Sequence, residues 1–265
     1  MLNYESTCQE AIILIKKTGR FIKDKLNTRD GISIETKSLH NYVTNIDKAA
    51  EEMLVKGLRK ILPGSGFIAE EGTSTFRDET YNWVIDPIDG TTNFIHGLPP
   101  FAVSVALMEK DELIIGVIYE IGLDECFYAW KGSPAFLNNK EIRVSNTSKI
   151  KDSLIATGFP YTEFKHLDRF METMHFFMLN SHGLRRLGSA ATDIAYVACG
   201  RFEGFYEYGL NPWDVAAGIL ILKQAGGKIS DFKGGSDYLF GGEIIATNSA
   251  VYDEFAEIVG KIMLK

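Results

Sequence analysis

The chain has 265 residues, of which 45% are apolar, and it carries a formal net charge of −7. This length and apolar content suffice for a large hydrophobic core, in one domain or in two closely packed halves. The net negative charge argues against a general nucleic-acid binder, because such proteins need a basic surface to contact phosphates. We therefore expect a globular protein that makes no direct contact with nucleic acid.

The cysteines and the amino-terminal residues bear on the cellular compartment. The three cysteines, Cys8, Cys126 and Cys199, are widely separated and form no C-x-x-C motif. We interpret them as reduced packing residues, as in cytosolic proteins. The apolar run near the amino terminus is too short and too interrupted for a signal peptide or a membrane span. The expectation is a soluble cytoplasmic protein that does not enter a membrane.

Helical periodicity predicts two amphipathic helices in the first quarter of the chain, over residues 5–26 and 44–62. Between them, residues 27–41 are polar and alternate only weakly, which indicates a loop or a short hairpin. Asp47 lies in the first turn of the second helix, where the helix dipole favours a carboxylate. A short strand over residues 65–71 follows and ends in Glu70 and Glu71.

Further strands and helices alternate in blocks along the rest of the chain. Apolar, β-branched runs predict strands over residues 83–85, 101–108, 113–120, 125–130, 135–137, 153–157, 202–208 and 243–247. Helical spacing predicts helices over residues 168–180, 190–199, 215–225 and 252–263. This order predicts layers of helix and sheet. A packed junction between two halves would fall near residues 146–153.

Residues 83–99, with the sequence WVIDPIDGTTNFIHGLP, form the most informative stretch. Asp86 and Asp89 follow a buried strand, Pro87 predicts a turn out of that strand, and Gly90-Thr91-Thr92 is typical of a helix start. Two carboxylates held close together repel one another, and a bound cation relieves the repulsion. Oxygen ligands suit Mg²⁺, Mn²⁺ or Ca²⁺, and free N–H groups at the helix start would face a phosphate.

Each acidic residue also has an interpretation without a ligand. The Asp-x-x-Asp-Gly motif alone fits a solvated turn, in which Asp89 caps a helix, equally well. Glu70 would be a solvated loop residue, and Asp47 and Asp214 would be carboxylates favoured by helix dipoles. Residues 188–193, with the sequence GSAATD, would either offer N–H groups to a substrate or permit close packing. The five histidines show no ligand spacing and are interpreted as structural.

Three segments together resemble the signatures of the inositol monophosphatase family. They are EE at residues 70–71, DPIDGTTNF at residues 86–94 and PWDVAAG at residues 212–218. Their order and separations match, and the resemblance covers nearly the whole chain. The central string, residues 86–94, resembles a signature specific to the lithium-sensitive, Mg²⁺-dependent phosphatase superfamily. Residues 92–99, TNFIHGLP, look more like inositol monophosphatases than like phosphoadenosine-phosphate phosphatases.

The resemblance implies an α+β fold, the layered α-β-α-β-α sandwich shared with fructose-1,6-bisphosphatase. It implies one phosphatase domain over residues 1–265, with packed halves at about 1–150 and 151–265, and a homodimer. It also implies two or three Mg²⁺ ions per active site. Glu70, Asp86 and the carbonyl of Ile88 would hold the first ion. Asp86, Asp89 and Asp214 would hold the second, and Glu70 would hold a third through water.

The remaining roles follow from the same resemblance. Thr91, paired with Asp47, would position and help deprotonate the attacking water, with Glu70 as a third catalytic residue. The N–H groups of Gly90 and Thr91 would hold the phosphate. The hydroxyls of a small phosphorylated polyol would be contacted by the segment that matches Gly188, Ser189, Ala190 and Glu207. Lys37 lies near the position of the family's mobile-loop lysine but one residue closer to the following motif.

The implied reaction is Mg²⁺-dependent hydrolysis of inositol 1-phosphate to inositol and phosphate. Residues 157–161, TGFPY, replace a segment that bears a substrate-contacting serine in the animal enzymes, so the substrate stays open. Fructose-1,6-bisphosphate, histidinol phosphate and other small phosphate esters are alternatives within the same chemistry. An alternative of another class is a regulatory binding protein that retains the fold, as for a bacterial relative that binds the transcription machinery.

Overall fold

The computed structural model of the chain describes residues 2–28, 31–38, 41–160 and 164–265. Within these ranges it forms seven α-helices: α1 (Tyr4–Thr28), α2 (Asn45–Ile61), α3 (Thr91–His96), α4 (Leu167–Asn180), α5 (Ala190–Ala198), α6 (Pro212–Gln224) and α7 (Tyr252–Met263). The six longer helices each overlap a helix that the apolar periodicity predicts. Only the short α3 was inferred from its start signal alone.

The predicted start of α6 was wrong by three residues. The apolar run predicts a helix from residue 215, but α6 begins at Pro212. Proline suits the first helical position because its missing N–H has no partner there in any case. The Asp214 carboxylate accepts a hydrogen bond from the N–H of Asn211 at 2.7 Å, which stabilises this helix start. Asp214 therefore lies inside the first turn of α6.

The described ranges also contain fourteen strands: β1 (Ile34–Ser38), β2 (Asn41–Thr44), β3 (Gly66–Ala69), β4 (Tyr81–Asp89), β5 (Ala102–Glu109), β6 (Glu112–Glu120), β7 (Glu125–Trp130), β8 (Ala135–Leu137), β9 (Lys140–Ile142), β10 (Leu154–Thr157), β11 (Gly183–Arg185), β12 (Gly204–Tyr208), β13 (Gly227–Ser230) and β14 (Glu243–Asn248). Strands β9, β11 and β13 were not predicted, since three or four residues carry little alternation. Strands β1 and β2 pair antiparallel, so a short hairpin is present, but its second strand begins at residue 41, where the predicted range 27–41 ends. The side chain of Lys37 lies outside the described residues.

The other twelve strands form two sheets. One has seven strands in the order β3-β4-β5-β6-β7-β8-β9, and the other has five in the order β11-β10-β12-β14-β13. In the first sheet only β3 and β4 pair in parallel, and the remaining neighbours are antiparallel. In the second, β10 is parallel to both of its neighbours. The first sheet ends before residue 143 and the second begins at residue 154, while the division into two halves remains a prediction.

The predicted turn at Pro87 was wrong, because β4 continues through it to Asp89. Asp86 pairs with Ser104 and Asp89 with Ala102, so three steps along β4 match two steps along β5. This register shift is a bulge, the one kind of interior position at which a sheet tolerates proline. The bulge places both aspartates at the end of the strand.

The sheets and helices stack in five layers. Helices α1 and α2 cover one face of the seven-stranded sheet, α5 and α6 lie between the two sheets, and α4 and α7 cover the five-stranded sheet. Buried apolar side chains fill each of the interfaces in three clusters. The α-β-α-β-α sandwich expected from the resemblance is confirmed. In the part of the chain that the structure describes, no helix is long and apolar enough to cross a bilayer.

Glycine permits the close approach of α6 to the seven-stranded sheet. A Cβ atom at Gly116 of β6 would lie 2.6 Å from the carbonyl oxygen of Ala217 in α6. Contact at that distance with backbone cannot be relieved by a side-chain rotation. Gly218 of α6 packs against the side chain of Ile194 in α5, whose Cγ2 would lie 2.8 Å from a Cβ at that position. These small residues fix the position of α6 and hence of Asp214.

Candidate active site

The carboxylates of the central stretch meet at one edge of the seven-stranded sheet. Because β3 and β4 are parallel neighbours, their carboxyl ends lie side by side. Ala69 is in register with Ile85, and the N–H of Glu70 donates to the carbonyl of Ile85 at 3.2 Å. Glu70 therefore lies beside Asp86, although the two are separated by a loop along the chain. The parallel pairing of β3 and β4 therefore allows Glu70 and Asp86 to belong to one site.

Asp214 completes the group from the opposite side. Helix α6 brings its first turn toward the end of β4, and oxygens of Asp86, Asp89 and Asp214 lie within 4.8 Å of one another. The Asp86 carboxylate also accepts the N–H of Ile88 at 2.9 Å, which fixes its orientation. Carboxylate oxygens at this spacing suit a hard divalent cation such as Mg²⁺. The donor set thus fits the metal that the resemblance implies.

The electrostatics of the carboxylates explain why a cation would bind there. Burial raises the pKa of Asp86 well above its ordinary value, and the nearby Glu70, Asp89 and Asp214 raise it further. Burial, followed by the charges of Asp89 and Glu70, has the same effect on the pKa of Asp214. Without a cation, the folded protein therefore disfavours full ionisation of this group. A divalent ion would reverse this preference.

Asp89 has a different environment from its neighbours. Burial raises its pKa to about 6, while hydrogen bonds from Ser189 and the α5 backbone oppose the shift. The Ser189 hydroxyl donates to Asp89 Oδ2 at 2.6 Å, and the N–H of Ala191 donates to the same oxygen at 2.7 Å. Ser189 is the amino-terminal cap of α5. The helix start therefore holds Asp89 in place.

Thr91 and Asp47 are brought together as the resemblance implies. The Thr91 hydroxyl lies 3.0 Å from Asp47 Oδ1 and 3.0 Å from the carbonyl oxygen of Ile88. Asp47 Oδ2 accepts hydrogen bonds from the N–H of Thr44, at 2.9 Å, and from its hydroxyl. Burial raises the pKa of Asp47, and the bonds from Thr44 and Thr91 partly offset that rise. A buried, oriented carboxylate thus accepts the proton of a hydroxyl in the pocket.

A cavity of about 170 Å³ opens at this edge of the sheet. Its lining includes eleven of the predicted site residues: Glu70, Asp86, Ile88, Asp89, Gly90, Thr91, Gly188, Ser189, Ala190, Glu207 and Asp214. Asp47 lies behind Thr91 and does not line it. Gly90 has φ of +97°, a conformation that favours glycine, and caps α3. The predicted residues therefore converge on one pocket.

Glu207 lies at the side of the pocket formed by the five-stranded sheet. It is buried in β12, and burial raises its pKa to about 8 although the charge of Arg186 lowers it. The backbone of Gly158, just after β10, packs directly against the Glu207 carboxylate, so a Cβ at that position would collide with it. Residues 157–161 thus shape the pocket through a glycine, and Tyr161 lies outside the described residues.

Sequence reasoning missed two charged residues of the pocket. Arg186 lines it and stacks over the ring of Phe159 at 4.9 Å. Asp193 of α5 also lines it, and burial raises its pKa well above the ordinary value, with Glu207 and Asp89 contributing. Asp193 belongs to the small polar segment of residues 188–193 that the sequence analysis singled out, which was a usable signal. Arg186 had no local pattern to indicate it. None of the described histidines lines the pocket, as expected.

Comparison with known proteins agrees with this geometry. A family model described as "Inositol monophosphatase family" matches residues 3–264. The chain is 39% identical to the inositol-1-monophosphatase of Mesorhizobium japonicum over 246 residues, with 92% of each chain covered. It is 40% identical to Nus factor SuhB of Escherichia coli over 242 residues, with 91% of each chain covered.

A solved structure shows the same fold. The extragenic suppressor protein SuhB of Bartonella henselae superposes with a TM-score of 0.90 at 37% identity, covering 94% of this chain and 96% of that one. The three signatures, the layered sandwich and these similarities lead to one assignment. The chain belongs to the inositol monophosphatase family, which is a family of phosphatases.

Proposed function

We propose that the protein is a Mg²⁺-dependent phosphomonoesterase whose substrate is a small phosphorylated polyol. The first candidate for that substrate is inositol 1-phosphate. One observation carries the proposal. The carboxylates of Asp86, Asp89 and Asp214 line the same cavity as Thr91. The buried Asp47 orients the Thr91 hydroxyl there. Cation-binding oxygens and a group that can orient water thus share one space. This combination suits hydrolysis of a phosphate ester by water.

The proposed ligands for Mg²⁺ are Glu70, Asp86, the Ile88 carbonyl, Asp89 and Asp214, for two or three ions. When bound, Mg²⁺ would lower the pKa of a bound water and neutralise negative charge on the phosphate and on the leaving oxygen. Thr91 would orient the attacking water, and Asp47 would accept the hydroxyl proton. The N–H groups of Gly90 and Thr91, at the start of α3, would hold the phosphate.

Glu207 is one reason to propose a polyol substrate. A buried carboxyl group in the wall of the pocket can exchange hydrogen bonds with ligand hydroxyls, as a donor when it is protonated and as an acceptor when it is ionised, and its burial strengthens such bonds. The name of the Mesorhizobium relative, inositol-1-monophosphatase, supports the same substrate. Gly188 and Ala190 would contact the polyol beside it. For Ser189 the geometry supports a different task, because its hydroxyl is bound to Asp89.

A second candidate function is a binding role in place of catalysis or beside it. The observation in its favour is the similarity to a protein named Nus factor SuhB. The presence of every carboxylate of the proposed metal site favours retained catalysis. An overall charge of −7 argues against direct RNA binding. A homodimer, expected from the resemblance, is part of the proposal and is tested by light scattering after size exclusion.

The test is phosphate release from four esters: inositol 1-phosphate, fructose-1,6-bisphosphate, histidinol phosphate and phosphoadenosine phosphate. Each is assayed with Mg²⁺, with a chelator, and with Mg²⁺ plus Li⁺. We expect chelator-sensitive release, fastest from inositol 1-phosphate. Faster release from another ester would replace the substrate and keep the chemistry. No release by folded protein that binds Mg²⁺ would overturn the phosphatase proposal in favour of the binding role.

A further inference from the structure

Helix α2 carries a second buried carboxylate one turn after Asp47. Glu51 is fully buried, as Asp47 is, and the i, i+4 spacing puts both on the same face of the helix. This face packs toward β4 and the end of the seven-stranded sheet. A buried carboxylate is costly unless hydrogen bonds satisfy its oxygens. Its partners therefore indicate its task.

Both oxygens of Glu51 accept hydrogen bonds from the turn that follows β3. Oε2 accepts the N–H of Glu71 at 2.8 Å. Oε1 accepts the N–H and the hydroxyl of Thr73, each at 2.8 Å. Three donors converge on one carboxylate across 20 to 22 positions of sequence. Bonds of this charge-assisted kind are about twice as strong as neutral ones. Glu51 thus anchors the turn firmly to α2.

The anchored turn begins with Glu70. Its own N–H is held by the carbonyl of Ile85 in β4, and the next N–H along the chain is held by Glu51. Three residues past Glu71, the same helix makes another contact, since the Arg59 guanidinium donates to the Ser74 hydroxyl at 2.9 Å. The backbone at Glu70 is therefore held by β4 on one side and by α2 on the other. The Glu70 side chain extends from this backbone and interacts with Asp86.

We propose that Glu51 is a positioning residue, which holds Glu70 in place for cation binding. Glu51 is not among the residues that line the cavity, and its carboxylate acts through its hydrogen bonds to the turn. Helix α2 then supports both sides of the site, with Asp47 holding Thr91 and Glu51 holding Glu70. This inference rests on the proposed function in one respect, the role of Glu70 as a Mg²⁺ ligand.

The test is Glu51→Gln in the full chain, with Mg²⁺ binding followed by isothermal titration calorimetry. Glutamine replaces one acceptor oxygen by an NH₂ group, which would face an N–H donor of the turn. Outer-shell substitutions cost about 10- to 100-fold in metal affinity, so we expect at least a tenfold weaker affinity. Glu52→Gln, on the exposed side of α2, is the matched control and should bind Mg²⁺ as the wild type does.

A double-mutant cycle separates positioning from general loosening of the fold. In a Glu70→Gln background, the further change Glu51→Gln should have little effect on Mg²⁺ affinity, because the residue that it positions is already neutral. An equal loss in both backgrounds would overturn the inference, as would unchanged affinity in the single variant. If Glu51→Gln does not fold, Thr73→Val is used in its place, since it removes one of the three hydrogen bonds. It should weaken Mg²⁺ binding too, but by less.

The two proposals fail in different ways. Wild-type protein that binds Mg²⁺ but releases no phosphate contradicts the phosphatase proposal, while the calorimetric cycle still tests Glu51. Full hydrolysis with a Glu51→Gln affinity equal to that of the wild type contradicts only the positioning role. Wild-type protein that binds no Mg²⁺ overturns both.

Discussion

Asp89 and Ser189 lie 100 positions apart in the chain and share a 2.6 Å hydrogen bond. The bond joins the bulge at the end of β4 to the first turn of α5, and the N–H of Ala191 reinforces it. One side of the proposed metal site is therefore built on the other half of the chain. Ser189, which the resemblance assigns to the substrate, lines the pocket and also donates its hydroxyl to a carboxylate of that proposed site.

Asp89→Asn should abolish most of the activity and leave the fold intact. The amide oxygen still accepts the bonds from Ser189 and Ala191, but the charge for a cation is lost. We expect the rate to fall by at least about 10²- to 10³-fold, as for removal of one electrostatic contact to a transition state. Phosphate release and circular dichroism measure the two effects.

The control for Asp89 is Asp253→Asn, since the Asp253 side chain is 96% exposed on α7. It should keep the wild-type rate. Full turnover by the Asp89 variant would show that the assignment of the metal ligands is wrong.

Thr91→Val should reduce the turnover number with little change in the affinity for substrate. Valine keeps the shape of threonine but has no hydroxyl to orient water or to donate to Asp47. Positioned proton transfer contributes about 10²- to 10⁴-fold, which bounds the expected loss. Thr91→Ser keeps the hydroxyl and should retain most of the rate. Equal losses in the two variants would point to packing by the methyl group rather than to the hydroxyl.

Gly158→Ala should alter substrate choice more than catalysis. The new Cβ would collide with the carboxylate of Glu207 and displace it from the wall of the pocket. We expect a higher KM for inositol 1-phosphate and a nearly unchanged rate with p-nitrophenyl phosphate, which has no polyol. Glu207→Gln is the matched variant and should shift the same ratio in the same direction. A parallel loss with both esters would contradict a role in polyol recognition.

Removal of Mg²⁺ should destabilise the protein more at high pH than at low pH. Asp89 has a pKa of about 6 in the fold, against about 3.9 in an unfolded chain, so between these pH values the folded state holds the proton that the unfolded state has lost. The metal-free fold therefore loses stability as pH rises through this window. Burial also raises the pKa values of Asp86 and Asp214, so the pH range over which the metal-free fold loses stability extends to higher pH.

A bound cation offsets this loss because it binds the ionised carboxylates. The rise in melting temperature on adding Mg²⁺ should be small at pH 5 and should grow toward pH 8. Calorimetric melts with Mg²⁺ and with a chelator at each pH give the comparison. A rise of the same size at both pH values would contradict cation binding at the raised-pKa carboxylates.

Gly116→Ala should lower the free energy of unfolding by about 1–3 kcal/mol, the usual cost of overpacking a core. The added methyl group would meet the backbone of Ala217 at 2.6 Å, and a helix backbone yields less readily than a side chain. Denaturant unfolding measures the effect. Gly57→Ala in α2 is the comparison, since its methyl group would meet only the flexible end of Leu14 and alanine favours the helix. An equal loss in both variants would argue against a rigid backbone contact.

The local signals in the sequence predicted the elements well. The apolar pattern placed all six longer helices: α1, α2, α4 and α7 each bury one face, while α5 and α6, which lie between the two sheets, carry continuous runs of small and apolar residues. It failed at β9, β11 and β13, whose three or four residues owe their conformation to a neighbouring strand. It also failed at Pro87, where pairing with β5 extends the strand through a residue that normally ends one.

The sequence by itself determined which functional groups the protein has, because it shows the acidic residues and their motif. That motif also identified the family. Which of those residues meet was decided by the tertiary structure. Glu70 and Asp86 meet because β3 runs parallel to β4, and Asp214 reaches them because Gly116 lets α6 approach the sheet. No local pattern indicated that Arg186 would line the pocket or that Glu51 would hold the turn after β3. Contacts between distant segments depend on how layers pack, and no local pattern encodes that.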